Sequence, residues 1–166
     1  SSVWNDFERL GAEHVAGLAA EREAPLHPQQ LTLETFLGLV PAKFSPIAAT
    51  MAAFLPAVGR PDLLPTVEAS IKHLAVGSQL LDDLGDWQED VHHRHLTLFL
   101  AWLAPAEAWS GAVWPGTAEL QARIDADWHD LACLEMAADW LDRSLSAVAS
   151  LPCPAWKEYV AGYGRL

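Results

Sequence analysis

Basic residues and cysteines are scarce in this chain of 166 residues. Lys and Arg number 10 against 22 Asp and Glu, so the formal net charge is −12. This excess of negative charge argues against nucleic acid and against an anionic membrane surface as partners. The two cysteines, Cys133 and Cys153, have no framework spacing. We therefore expect reduced thiols in a cytoplasmic protein rather than a disulfide scaffold.

Long apolar runs are also missing. The longest uncharged stretch, residues 44–59, contains Pro46 and Pro56. It falls short of the roughly 20 residues that a membrane-spanning helix needs. The first residues show no basic segment followed by an apolar one, which is the pattern of a secretory signal. The sequence therefore predicts no transmembrane segment and a cytoplasmic location.

Strand signals are absent, since no alternating β-branched run and no hairpin dipeptide occurs. Apolar residues recur at intervals of three and four, which predicts an all-α fold in one domain, 1–166, with about five or six helices. The predicted helices span 3–22, 32–58, 61–92, 96–103, 117–149 and 154–160, with a Pro- and Gly-rich connection at 105–116. Thr32 is a candidate N-cap, and Pro41 and Pro46 should kink the second helix.

The most informative segment is the acidic run at 79–90, inside the third predicted helix. A helix turns by about 100° per residue. One face of this helix then collects, within an arc of about 100°, the polar side chains Gln79, Asp82, Asp86, Glu89 and Asp90. Asp83 lies at the edge of that arc. Carboxylates spaced by four residues on one helix face suit a divalent metal ion.

The same pattern has a simpler interpretation. A protein of charge −12 can carry a solvated acidic helix face that binds nothing. The histidines that follow, His92, His93 and His95, are also typical of a polar helix end, where a cation interacts favourably with the helix dipole. Neither a glycine-rich phosphate loop nor a Ser/His/Asp or Cys/His pairing with motif support is present.

The acidic run resembles the second aspartate-rich motif of the class I isoprenoid synthases. This superfamily includes trans-prenyl diphosphate synthases, squalene and phytoene synthases and terpene cyclases. Asp82-Asp83-x-x-Asp86, preceded by Gln79, is similar to the prenyl diphosphate synthase form. Asp86 with Glu89-Asp90, followed by the basic segment 92–95, is similar to the squalene and phytoene form. The resemblance covers roughly residues 32–100, because 32–59 also looks like the kinked helix that flanks the allylic substrate.

The resemblance implies a helical bundle of the isoprenoid-synthase type that binds a prenyl diphosphate through Mg²⁺. Its metal ligands would be Asp82, Asp83, Asp86 and Asp90. Of these, Asp82 and Asp86 would be catalytic. Substrate-binding residues would be Gln79, Arg94 and Lys43. The activity would be that of a transferase or lyase that assists ionisation of the diphosphate for prenyl transfer, condensation or cyclisation.

Members of this superfamily carry another acidic motif upstream, and no such cluster precedes Asp82. We therefore expect a partner chain or an N-terminal half to supply that motif, and we expect association into an oligomer. Two alternatives stay open. One is a non-catalytic subunit or isoprenoid-binding module that completes a larger synthase. The other is a helical interaction protein with a solvated acidic face.

Overall fold

The computed structural model describes residues 2–23 and 27–164, which form ten α-helices and no strand. The all-α prediction is confirmed. The helices are α1 (Ser2–Glu23), α2 (Leu33–Lys43), α3 (Ser45–Ala57), α4 (Leu64–Gly85), α5 (Trp87–His93), α6 (Leu98–Leu103), α7 (Ala106–Trp109), α8 (Thr117–Asp127), α9 (His129–Ala147) and α10 (Pro154–Tyr163). Short 3₁₀ turns at Pro28–Gln30 and Pro61–Leu63 precede α2 and α4.

The prediction of about five or six helices was wrong, because three of the predicted helices are each divided in two. The second breaks at Phe44, where α2 and α3 meet at an angle of 48°. Pro46 follows at once, and it has no backbone N–H to continue the helical ladder. The third helix breaks at Asp86 and the fifth at Trp128, which adopts left-handed dihedrals with φ 55°. The short helix α7 was predicted as part of a connection.

The start of α2 agrees with the sequence-based prediction. Thr32 Oγ1 accepts a hydrogen bond of 3.2 Å from the Thr35 backbone N–H. Thr35 Oγ1 in turn accepts one of 2.8 Å from the Thr32 N–H. This reciprocal capping box satisfies two backbone donors that no helical carbonyl reaches. It places the beginning of α2 at a defined residue.

The main core surrounds α6 and the end of α4. Helix α6 is apolar on all sides, and four of its six side chains are buried. A helix of this kind is stable only inside a protein. Trp109 lies against the same cluster and donates from Nε1 to the Ala104 carbonyl at 3.0 Å. This core closes one side of the acidic segment.

Helix α4 is the central element and packs against α2, α3, α6 and α9. Two buried serines join it to α9 by reciprocal bonds. Ser70 Oγ donates to the Ser144 carbonyl at 2.9 Å, and Ser144 Oγ donates to the Ser70 carbonyl at 2.8 Å. The indole N–H of Trp156 in α10 donates to Ser70 Oγ at 2.9 Å. These bonds hold three helices together at the end of α4 that lies away from the acidic segment.

The described helices are short or polar by the standard of membrane-spanning helices. None of them is, alone, long and apolar enough to cross a bilayer. The bent pair α2 and α3 meets the criteria of length and composition only when the two helices are taken together.

The left-handed backbone at Trp128 gives a testable prediction. A left-handed conformation costs an L-residue with a Cβ about 1–2 kcal/mol, and the Trp128 side chain is 67% exposed. We expect Trp128→Gly to raise the free energy of unfolding by about 1 kcal/mol, measured by urea denaturation. Trp128→Ala is the control, because it removes the same ring and keeps the Cβ. Equal stabilities of the two variants would contradict this explanation.

Candidate functional site

The acidic residues predicted from the sequence line one open groove with a volume of about 470 Å³. It is lined by Gln79, Asp82, Asp83, Asp86, Glu89, Asp90, His93 and His95. Six of these residues belong to two helices rather than one, because α4 ends at Gly85 and α5 begins at Trp87, and His95 follows the end of α5. Asp86 lies between the two helices. Its backbone N–H donates to the Asp82 carbonyl, and its backbone carbonyl accepts from the Asp90 N–H, both at 2.9 Å. The helical hydrogen bonds thus continue across the break and keep the carboxylates on one side.

Asp83 differs from its acidic neighbours because it points into the protein. It is only 3% exposed, and Gln79 Nε2 donates to its Oδ1 at 2.8 Å. Burial, which disfavours the charged carboxylate, raises the pKa of Asp83 to about 7. The bond from Gln79 and the charges of Lys43 and His95 oppose this rise, whereas the charge of Asp90 adds to it. Asp83 is therefore the base of the groove and not part of its rim.

Lys43 reaches the same place from the last turn of α2. Its Nζ lies 2.6 Å from Glu21 Oε1, at the end of α1, and donates to Gln79 Oε1 at 2.9 Å. The side-chain amide of Gln79 extends this hydrogen-bond network, since its Nε2 donates to Asp83. Three helices, α1, α2 and α4, are joined by this chain of partly buried polar side chains. Of the predicted residues, Gln79 contacts both Lys43 and Asp83.

His95 closes the network from the other side. Its Nδ1 lies 3.0 Å from Asp90 Oδ1, and its Nε2 lies 3.7 Å from Glu21 Oε1. The hydrogen bond with Asp90, and then the contact with Glu21, raises the pKa of His95 to about 10. The contact with His95, together with the shorter one with Lys43, lowers the pKa of Glu21 to about 2. At neutral pH this is a cluster of fixed charges with the imidazolium between two carboxylates.

An apolar pocket adjoins the groove and shares Gln79, Asp83 and His95 with it. The rest of its wall is mostly aliphatic and aromatic, with Leu31, Phe36, Leu39, Val40, Leu96 and Leu98. The pocket volume is about 50 Å³. Pockets that hold whole drug-sized ligands usually measure about 300–1,000 Å³. A long apolar tail therefore does not fit this pocket without movement of its walls.

Arg94 does not join the groove. Its backbone is left-handed with φ 56°, and its guanidinium donates to the Ala112 carbonyl at 2.5 Å. With Leu18 and Arg22 of α1, the residue lines a neighbouring open surface that shares His93 and His95 with the groove. A role in diphosphate binding would require this side chain to leave its carbonyl partner.

Two tyrosines of α10 approach the groove. Tyr163 lies close enough to Asp82 for the charge of that carboxylate to add to the rise in its pKa, although the hydrogen bond with Tyr159 is the main cause. The two hydroxyls are 3.2 Å apart. Arg165, which the sequence places near these tyrosines, lies outside the described residues.

The carboxylates of the groove offer few free ligands for Mg²⁺. Asp82 and Asp86 are exposed on the groove, whereas Asp83 is buried and Asp90 is engaged with His95. In 2–23 and 27–164, no three Asp, Glu, His or Cys side chains converge as a metal site. Mg²⁺ often takes one or two protein carboxylates and completes its shell with water and phosphate oxygens. The residues fit an ion of that kind, and they do not fit an all-protein cage.

Comparison with known proteins adds no relative. No protein-family model, curated protein or solved structure matches the chain. The resemblance to the class I isoprenoid synthases thus rests on the sequence alone, specifically on the acidic run and more loosely on the rest of residues 32–100.

Glu21 and His95 belong to the site, although neither was predicted as a site residue from the sequence. Glu21 lies 22 residues before Lys43, and no local spacing connects the two. The contact of His95 with Asp90 could have been expected from the sequence, because only five positions separate them. The chain turns at Arg94, and the backbone N–H of His95 donates to the Asp90 carbonyl at 2.8 Å. The left-handed conformation of Arg94 makes that turn possible.

Proposed function

We propose that this domain binds an allylic prenyl diphosphate through Mg²⁺ held by Asp82 and Asp86. The observation that supports the proposal is the groove itself, because exposed carboxylates one helical turn apart lie beside an apolar pocket and a lysine. A diphosphate with an apolar tail combines the two chemistries that this surface offers. Because the net charge is −12, such an anion needs a bridging cation or local basic residues.

Each residue then has a physical role. Asp82 and Asp86 bind the ion, and Asp90 and Asp83 support them from the edge and the base of the groove. Lys43 and Gln79, which are hydrogen-bonded to each other, would contact diphosphate oxygens. The apolar wall around Phe36 keeps water from the allylic end. When bound, Mg²⁺ supplies charge neutralisation of the diphosphate as its bond to the allylic carbon weakens.

Ionisation for prenyl transfer, condensation or cyclisation is the enzymatic form of this proposal. A second form is a binding subunit that carries no reaction by itself. One observation favours the second form, namely that the apolar pocket measures about 50 Å³ beside a single acidic groove. A partner that contributes a further acidic helix and apolar surface would complete the site. Both forms require the same Mg²⁺-dependent binding step.

Isothermal titration with a non-hydrolysable allylic diphosphate analogue tests this step. We expect binding with Mg²⁺ and none with chelator. The variant Asp82→Asn/Asp86→Asn should weaken binding by about 100-fold or more, because loss of even a supporting residue of a metal site costs about 10–100-fold. The control is Asp125→Asn/Asp127→Asn, which removes the same two charges from exposed positions on α8.

The outcomes separate the candidate functions. Equal loss in both double variants would mean that overall charge, and not the groove, governs binding. No binding to a folded chain would favour the helical interaction protein with a solvated acidic face. With binding established, release of inorganic diphosphate from a hydrolysable substrate distinguishes a synthase from a binding subunit.

A further inference from the structure

The outer face of α1 carries an exposed apolar stripe. Its inner face packs against α2 and α3 through residues such as Leu10 and Gly17. On the outer face four large apolar side chains are 66%, 54%, 67% and 45% exposed: Trp4, Phe7, Val15 and Leu18. Among the described residues no other helix exposes as many large apolar side chains. Such a contiguous surface is typical of an interaction site.

The stripe is narrow and continuous. At about 100° per residue, the positions Trp4, Phe7, Gly11, Val15 and Leu18 fall within an arc of about 80°. The stripe is about 21 Å long, since it spans 14 residues at 1.5 Å each. No charged residue lies in it. These are the dimensions of a seam between two paired helices.

Gly11 stands at the middle of this seam. A Cβ at this position would meet nothing within 4 Å inside the protein. By contrast, a Cβ at Gly17 on the inner face would lie 2.9 Å from the Ala42 Cβ. Glycine in a helix interior weakens the helix. Gly38 on α2 is equally open, so what distinguishes Gly11 is its place at the centre of the exposed apolar stripe. At that place a glycine permits the close approach of another backbone from outside.

The stripe is symmetric about Gly11. Phe7 and Val15 lie four residues to either side, and Trp4 and Leu18 lie seven residues to either side. A two-fold interface pairs one surface with itself, so each residue must find a suitable partner on the same patch. In an antiparallel pair centred on Gly11, Phe7 faces Val15 of the second copy and Trp4 faces Leu18 of it. Apolar then meets apolar along the whole seam.

We propose that two copies of this chain associate through the outer face of α1, antiparallel, with the two-fold axis at Gly11. The proposal is independent of diphosphate binding. Charge favours this occupant over a lipid surface, because α1 carries five acids and two arginines, whereas membrane-surface helices are rich in Lys and Arg. The acids are Asp6, Glu8, Glu13, Glu21 and Glu23. The uncharged stripe lets two copies of a strongly acidic chain meet.

The oligomeric state tests the proposal. Sedimentation velocity over a concentration series should show a dimer with a dissociation constant of about micromolar, as expected for a small interface. Gly11→Leu should weaken it at least tenfold, because a side chain at the closest approach separates the helices. Gly38→Leu on α2 is the control, since a Cβ there also meets nothing within 4 Å. Its dissociation constant should equal that of the wild type.

Cross-linking tests the axis. In a Cys153→Ser background, Gly11→Cys should give a disulfide-linked dimer under mild oxidation, because the two positions meet at the axis. Trp4→Cys should not, since its two copies would be about 21 Å apart along the helices. Buried Cys133 stays unreactive because burial raises the pKa of its thiol to about 12. A wild-type chain that is monomeric at all concentrations, or a Trp4→Cys cross-link, would overturn the proposal.

Discussion

We expect Asp83→Asn to be more stable, relative to the wild-type protein, at pH 8 than at pH 4. Burial raises the pKa of Asp83 from 3.8 to about 7. Between these values the unfolded chain releases a proton that the folded chain retains. The contribution of Asp83 to stability is therefore greatest below pH 3.8, falls as the pH rises to about 7, and is constant above that value.

The expected size follows from the same shift. A pKa difference of one unit corresponds to about 1.4 kcal/mol, so ionisation of Asp83 costs the folded protein about 3–4 kcal/mol by pH 8. Asparagine has the same shape, accepts the bond from Gln79 and does not ionise. The free energy of unfolding of the variant, relative to wild type, should rise by about 3–4 kcal/mol from pH 4 to pH 8.

Urea denaturation of both proteins at the two pH values, with a chelator present, measures this change. Asp82→Asn is the matched control, because its carboxylate is exposed next to Asp83 in the sequence. Its effect should differ by less than about 0.5 kcal/mol between the two pH values. If Asp83→Asn behaves like the control, the carboxyl ionises in the folded protein at no cost, and the description of the base of the groove is wrong.

The second large effect is expected at Gly77, where α9 packs closely against α4. A Cβ at Gly77 would lie 2.9 Å from Leu141 Cγ and 3.0 Å from the Ala137 carbonyl oxygen. The backbone oxygen cannot move without shifting α9. We expect Gly77→Ala to lower the free energy of unfolding by about 1–3 kcal/mol, the usual cost of overpacking. That loss exceeds the gain in helix propensity, about 0.5–1 kcal/mol.

Gly38→Ala is the control for this prediction. Gly38 is also inside a helix, α2, but a Cβ there has open space. The control should gain up to about 1 kcal/mol, so the two substitutions have opposite signs in urea denaturation. A gain at Gly77 as well would show that the two helices are further apart than described. Since α4 carries the groove, Gly77→Ala should also weaken diphosphate binding if that binding is established.

Parts of the fold could be predicted from local pattern. The period of three and four identified the helical class, and Thr32 with Thr35 identified the start of α2. The boundaries inside long helical patterns were missed. At Trp128 the sequence still reads as helix, yet the residue adopts φ 55° and divides α8 from α9. A single left-handed residue leaves no mark on hydrophobic periodicity, because it changes direction and not composition.

The candidate site, too, was predictable from local spacing only in part. Helical spacing alone brought Gln79, Asp82 and Asp86 to one face, and the structure has them on one groove. Spacing could not separate Asp83 from its neighbours, because exposure depends on what packs against the helix. Here α9 covers that side, with Cys133 close enough for the charge of Asp83 to affect its pKa.

The sequence by itself determined that this protein is helical, strongly acidic and equipped with a carboxylate face, because these properties depend on residues within a few turns of one another. Only the tertiary structure decided that Asp83 is buried, that Lys43 meets Glu21 and Gln79, and that Gly77 lies against α9. Each of these contacts joins residues at least 22 positions apart or depends on such a contact. Their proximity follows from how the helices pack, which local periodicity does not encode.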